Sequence, residues 1–167
     1  MTQFSKAIRD SRTASNNAHN SALAAVTGGE MIKAASDVIS ARLEILAAGL
    51  TDPSKVDLAE MSLMTTEKVE ALSASAGKLA GHYGQIGARL SQSAMTEMGL
   101  ASRAASAVAG ATTPAGAAQA QFNYAVGWWS RAASQMLTLN TELLKAQADA
   151  MKPIHATATA NALRLKR

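Results

Sequence analysis

The same six-residue punctuation occurs twice in this chain, as Ala48-Gly49-Leu50-Thr51-Asp52-Pro53 and Ala109-Gly110-Ala111-Thr112-Thr113-Pro114, both reading A-G-x-T-x-P. In each, a glycine suited to the left-handed position after a helix is followed by a capping side chain, Asp52 or Thr113. The proline comes next, where it fits the first turn of a new helix. Each mark therefore reads as a helix stop followed at once by a helix start, and connections this short join antiparallel neighbours. Two marks in 167 residues leave three long arms. Weaker points at Gly28-Gly29 in the first arm and Pro153 in the third predict a kink or break in each.

Nothing between the marks argues against helix. The chain has 38 alanines and three prolines, and alanine is the strongest helix former. No segment alternates β-branched or aromatic residues with polar ones, and no Asn-Gly or Asp-Gly hairpin turn occurs. Aromatics are only 4% of residues, so the available core is thin and smooth. The middle arm alone would reach roughly 85 Å as one helix. The expected fold is all-α: an elongated antiparallel bundle of three long amphipathic helices with coiled-coil-like seams. Residues 1–28, polar around Asn16 to Ser21, are expected to form a frayed helix or tail, and residues 29–167 the helical domain proper.

Apolar spacing places the seams. In the first arm Ile32, Ala35, Ile39, Arg42 or Leu43, Leu46 and Leu50 recur at three and four residues, opposite Lys33, Asp37 and Glu44. In the second, Leu72, Ala76, Leu79, Tyr83, Ile86 and Leu90 step 4-3-4-3-4, the period of a coiled-coil seam. Leu90, Ala94 and Met98 then form a stutter. The third arm puts Phe122, Val126, Trp129, Ala133 and Met136 on one face, which Trp128 and Leu137 broaden and Leu143 and Ala150 continue. Adjacent tryptophans point about 100° apart on a helix, so a narrow seam should bury one ring of Trp128-Trp129 and leave the other at its edge. Met61, Met64, Met95, Met98, Met136 and Met151 lie on or near these seams and supply a deformable apolar lining.

Chemical motifs are missing. The sequence has no phosphate-binding glycine loop, no H-E-x-x-H, no nucleophile elbow and no Glu-x-x-His of a di-iron bundle. His19, His82 and His155 fall in three different arms with no second ligand at helical spacing, and zero cysteines exclude thiolate sites and disulfides. Asp57, Glu60, Glu67 and Glu70, with Lys68 among them, read as an exposed helix face. No enzymatic activity, cofactor or metal is expected. A formal charge of +4 is a modest basic excess, concentrated at Lys152, Arg164, Lys166 and Arg167, which read as a solvated helix terminus. Without a basic stripe or a stacking platform, nucleic acid is not an expected partner. No secretory leader and no 18-residue apolar run is present, so the chain is expected in the cytoplasm and not threaded through a membrane.

The run Glu30-Met31-Ile32, Ser36-Asp37-Val38-Ile39-Ser40-Ala41-Arg42, Ala47-Ala48-Gly49, Asp57-Leu58-Ala59-Glu60-Met61, Met64 and Glu67-Lys68-Val69-Glu70-Ala71 resembles the phasin family, small proteins of polyhydroxyalkanoate granules. The likeness is best over residues 30–73, continues through Gly127-Trp128-Trp129 and Pro153-Ile154, and is absent before Gly28. It implies a non-enzymatic coat on cytoplasmic storage granules, whose helices adsorb to the hydrophobic polyester, limit coalescence and self-associate as a homo-oligomer through coiled-coil contacts. On that reading Leu72, Leu79, Tyr83, Ile86, Leu90, Met98, Phe122, Val126, Trp128, Trp129 and Met136 form the surface-binding or oligomer seam. Gly49, Pro53, Gly110 and Pro114 are then the hinges at which the bundle opens onto the granule. Two other readings use the same stripes: a coiled-coil scaffold that binds a protein partner or itself, and a reversible binder of phospholipid surfaces.

Overall fold

The structure, a computed structural model, describes residues 3–51 and 58–165. These form three helices, α1 (Gln3–Thr51), α2 (Leu58–Ala109) and α3 (Pro114–Leu165), with no strand among the described residues. The all-α bundle expected from sequence is the fold. Helix α1 starts at Gln3, so the polar segment expected to fray is helical, and Gly28-Gly29 does not interrupt it. Nor does Pro153 interrupt α3. One glycine costs a helix about 1 kcal/mol and an interior proline about 3 kcal/mol, which long alanine-rich flanks packed on neighbours can absorb.

At the end of α2 the Gly110 N–H donates to the Ser106 carbonyl (2.9 Å) and the Ala111 N–H to that of Val108 (3.3 Å). No described glycine has positive φ, so Gly110 closes the helix with a tightened turn instead of the expected left-handed conformation. Gly49 is likewise no terminator, since α1 continues to Thr51. Asp52 and Pro53 lie outside the described residues. Thr113 caps α3 as its sequence position suggests: its hydroxyl accepts from the Gly116 N–H (3.1 Å), with Pro114 as the first helical residue.

The chain divides into two compact units. The first combines Met1–Asn17 of the N-terminal segment with His82–Leu143. Here α1 runs parallel to α3 along a polar ladder. Lys6 Nζ donates to the Ser130 carbonyl and hydroxyl, Ser134 Oγ donates to Asp10 (2.9 Å), and Asn17 Nδ2 donates to the Leu137 carbonyl (3.1 Å). Thr141 Oγ1 completes it by donating to Asn17 Oδ1 (2.8 Å). Helix α2 runs antiparallel to α3, joined by the ion pairs Glu97–Arg131 and Arg89–Glu142. The second unit combines Ala18–Gly81 with Leu144–Arg167. Ser75 Oγ donates there to the Ala150 carbonyl (2.6 Å), Arg164 pairs with Glu67 (2.9 Å), and His155 Nε2 lies 3.8 Å from Glu30.

Among the described residues the buried side chains are small: Ala71, Ser75, Ala146, Ala150, Asn161 and Ala162, with Asn17 and only Val38 and Ile86 of larger apolar size. The seams expected from the large apolar residues are consequently displaced. On α2 the inward stripe is Ala71, Ser75, Leu79, His82 and Ile86; it shares Leu79 and Ile86 with the expected seam but leaves Leu72, Tyr83 and Leu90 exposed. On α1 it is Met31, Ala34, Val38, Ala41 and Ile45; the expected Ile32, Ala35 and Ile39 each lie one residue past an inward position, and Leu43 is exposed. On α3 it is Tyr124, Gly127, Arg131 and Ser134, so that Phe122, Val126, Trp129, Ala133 and Met136 occupy the opposite face. The physical reason is space. Helices that touch largely through alanine, serine and glycine leave room between them for few large side chains, such as Leu79 and Ile86, and none for the tryptophans.

Candidate functional site

The outward faces carry what the interior does not. In the first unit Phe4 and Ile8 on α1, Tyr83, Leu90, Met95 and Met98 on α2, and Phe122, Val126, Trp129 and Met136 on α3 are all exposed. Phe4 is 75% accessible, Met98 72% and Trp129 69%. In the second unit the same holds for Leu23, Val26, Ile32, Ile39 and Leu43 on α1, Val69 and Leu72 on α2, and Leu163 on α3. Isolated exposed leucines are ordinary in any protein; here exposed large apolar residues recur along each helix. Of the eleven residues expected in the surface-binding or oligomer seam, Leu79 and Ile86 are turned into the bundle and the other nine lie outside; Leu137 and Ala150, expected to extend the α3 stripe, are likewise turned inward. Met61 and Met64 have side chains outside the described set.

The tryptophan pair departs from expectation in a useful way. Neither ring is buried: Trp128 is 40% accessible and Trp129 more so. The two rings meet edge to face, with centroids 5.0 Å apart and planes at 76°. Trp128 also walls a shallow open groove between α2 and α3, whose other walls include Leu90, Ala94, Glu97, Arg131 and Gln135. The face therefore presents a broad aromatic ledge instead of one anchored ring.

Charge is withdrawn from this ledge. Arg131 holds Glu97 in a two-pronged pair, Nε to Oε2 at 2.8 Å and Nη2 to Oε1 at 2.7 Å, and the Tyr124 hydroxyl donates to the same carboxylate at 3.1 Å. The guanidinium carbon lies 5.8 Å from the centre of the Tyr124 ring. Hydrogen bonding to Arg131 holds the Glu97 carboxyl below the usual carboxylate range, against the opposing effect of burial, with the Tyr124 hydroxyl adding to the lowering. Burial foremost, then the bond to Glu97, raises the Tyr124 phenol, and the bond to Glu97 raises Arg131. Gly127 makes the geometry available. A Cβ there would stand 2.8 Å from Arg131 Nη1, so a side chain would push the guanidinium aside.

Two of the basic C-terminal residues, Lys152 and Arg164, are less free than their sequence suggests, while Lys166 and Arg167 lie outside the described residues. Lys152 pairs with Asp149 (2.7 Å), and Arg164 is partly buried against Glu67 and the side-chain carbonyl oxygen of Asn161 (2.9 Å). Glu67 accordingly leaves the solvated acidic face on which it was expected. Among the described residues, no group of three or more His, Asp or Glu is placed to hold a metal ion, and no helix is long and apolar enough to cross a membrane.

Sequence reasoning missed Phe4, Ile8, Leu23 and Val26, which extend the exposed face into the segment taken as a polar tail. The signal was available in the spacing within each pair, four residues from Phe4 to Ile8 and three from Leu23 to Val26. The profile of the family described as Phasin protein matches residues 59–158. This span takes in the Ala59-to-Ala71 part of the resemblance run, the Trp128-Trp129 ledge and Pro153. No curated protein and no solved structure matches the chain. A family match over more than half of the 167 residues, on a bundle that turns its large apolar side chains outward, makes this chain a member of the phasins, the granule-associated proteins of polyhydroxyalkanoate storage.

Proposed function

We propose that the protein is a non-enzymatic coat of cytoplasmic polyhydroxyalkanoate granules, adsorbing through its outward apolar side chains and limiting granule size by opposing coalescence. The observation that carries this reading is the sorting of side chains by size, small ones inside and large ones outside. Taking a fully exposed Leu, Phe or Met out of water is worth about 1.5–3 kcal/mol, so ten such residues supply on the order of 15–30 kcal/mol gross, before the costs of immobilisation are met. A neutral polyester offers ester carbonyls and alkyl groups and no charge, which suits a ledge whose nearest charges are paired with each other.

Opening of the bundle is unnecessary on this account. An opened bundle would add alanine, serine, asparagine and paired charges to the contact, at the cost of the hydrogen bonds of Asn17, Ser75 and Thr141. On this account Gly110 and Pro114, at the junction of α2 and α3, need not act as hinges, and Gly49 lies within α1.

Co-sedimentation of the purified chain with polyhydroxybutyrate particles, with anionic liposomes in parallel at low and moderate salt, tests the proposal. Salt-resistant depletion by the polyester alone is expected. Retention in the supernatant with both surfaces would overturn the coat and leave the protein-scaffold reading in its place.

A further inference from the structure

The chain has eight methionines and no cysteine, so the thioether is its whole sulfur chemistry. Methionines spread along helical seams ordinarily fill gaps in a core. Three of these do not: Met95 and Met98 on α2 and Met136 on α3 are 65%, 72% and 68% accessible. All three stand on the outward apolar face of the first unit, with Leu90, Phe122, Val126 and Trp129. The outward face of the second unit is built of leucine, isoleucine and valine instead, and its described methionine side chains, Met31 and Met151, are half-buried. Among the described residues, accessible sulfur is therefore gathered on one apolar face.

We propose that Met95, Met98 and Met136 form an oxidation-sensitive release site: conversion of their thioethers to sulfoxides by a peroxide detaches this face from the polyester without unfolding the bundle. The inference rests on the coat reading above and supplies its regulation. In the step, a sulfur lone pair attacks one peroxide oxygen, the O–O bond breaks as the S–O bond forms, and the departing oxygen takes up protons and leaves as water; sulfur loses two electrons and the peroxide gains them. The product is uncharged, but its oxygen is a strong hydrogen-bond acceptor. A polyester surface of ester carbonyls and alkyl groups offers acceptors and no donors, so a sulfoxide pressed against it gives up its water for nothing in return. The interior is untouched, because its contacts run through Ala71, Ser75, Ala146 and Ala150 and not through these three side chains. With no cysteine, the chain has no thiol to intercept the oxidant first. The change is also reversible: a sulfoxide reductase supplied with a dithiol returns the thioether, the oxygen leaving as water and the dithiol becoming a disulfide.

The test treats the full chain with hydrogen peroxide and reads peptide masses, helicity and binding to polyhydroxybutyrate particles together. Met95, Met98 and Met136 should each gain one oxygen before Met31 and Met151 do, and helicity should hold. Affinity for the particles should fall by more than about a hundredfold. Methionine sulfoxide reductases with dithiothreitol should restore it. The variant Met95→Leu/Met98→Leu/Met136→Leu keeps the apolar side chains without the sulfur, so it should bind as the untreated wild type does and stay bound after peroxide. Both tryptophans remain in it, so release through their oxidation would show. Met95→Gln/Met98→Gln/Met136→Gln should bind weakly with no oxidant present. If the untreated chain ignores the particles, the coat reading fails and the release site with it. If the untreated chain binds, the release site alone is overturned by either of two results: equal binding by a chain carrying all three sulfoxides, or release of the leucine variant by peroxide as readily as the wild type.

Discussion

Two stripes of this molecule obey the same spacing rule and meet opposite fates. Ala71, Ser75, Leu79, His82 and Ile86 on α2 step by threes and fours and face the bundle; Phe122, Val126, Trp129 and Met136 on α3 step the same way and face out. The inner stripe makes its closest contacts through the small Ala71 and Ser75, whereas the outer stripe carries two aromatic rings. Spacing decides that residues share a face, but it does not decide which face packs against a sibling helix. In a chain with 38 alanines the small face wins the interior, because backbones close enough to bury alanine exclude indole. The large face is left over, and on the proposed reading it is the face that meets the granule.

The comparison breaks most visibly if the outer stripe is made polar. Phe122→Ser combined with Trp129→Ser should remove about 3–6 kcal/mol of adsorption free energy, more than a hundredfold in affinity for polyester. Chemical denaturation midpoints should stay within the range of surface substitutions, because neither ring contributes to the interior. The converse substitution acts on the inner stripe. Ala146 is 2% accessible, and Ala146→Leu should cost about 1–3 kcal/mol of folding stability by overpacking. The fraction that remains folded should bind particles as the wild type does. Urea denaturation and particle binding, measured on both variants, would have to give this crossed pattern; equal losses in both assays would mean that the two faces are not separable.

A smaller effect should appear in acid. The carboxyl of Glu97 titrates below its ordinary range in the folded chain, so in that interval the unfolded chain binds the extra proton. The Glu97–Arg131 pair therefore stabilises the bundle above the ordinary carboxylate pKa of about 4.3, and this contribution is lost as pH falls through the depressed folded value. Urea midpoints recorded between neutral pH and acid should decline there, and Glu97→Gln should flatten the decline while lowering the neutral value. Tyr124 works in the opposite direction: its raised phenol favours the fold until alkaline pH passes the unfolded value of about 10.

Helix type and the α2–α3 junction were legible in the sequence, since alanine propensity and the second A-G-x-T-x-P mark leave little else possible, and Thr113 caps α3 where its position said it should. The seam phase was not legible. Reading hydrophobicity weights Leu72, Tyr83 and Trp129 over Ala71, Ser75 and Gly127, and so finds the largest apolar stripe, not the packed one. The polar ladder of Lys6, Asp10 and Asn17 against Ser130, Ser134 and Thr141 was equally hidden, although each pair is separated by the same 124 residues. Short polar side chains at heptad spacing look like solvent-facing residues until a partner helix is known. The break expected at Gly28-Gly29 failed for a related reason: tertiary contacts on both sides outweigh a local cost of about 1 kcal/mol per glycine.

The smallest predicted effect concerns the junctions. If phasin adsorption required the bundle to unfold onto the granule, Gly110 would have to absorb a large backbone change, and stiffening it would slow binding. In the folded chain, however, Gly110 has no positive φ, so alanine there meets no conformational strain; its added Cβ would sit 3.2 Å from the Ser106 carbonyl, a contact that a small shift relieves. Gly110→Ala should therefore change stability by no more than about 0.5 kcal/mol and leave the rate of adsorption to polyhydroxybutyrate particles unchanged, since the residues that touch the polyester already face outward. Time-resolved loss of tryptophan exposure on mixing with particles reads that rate directly through Trp128 and Trp129. A slowed Gly110→Ala variant would restore opening as a step in adsorption, and the inner stripe of Ala71, Ser75 and Ile86 would then have to be counted as part of the granule-binding face.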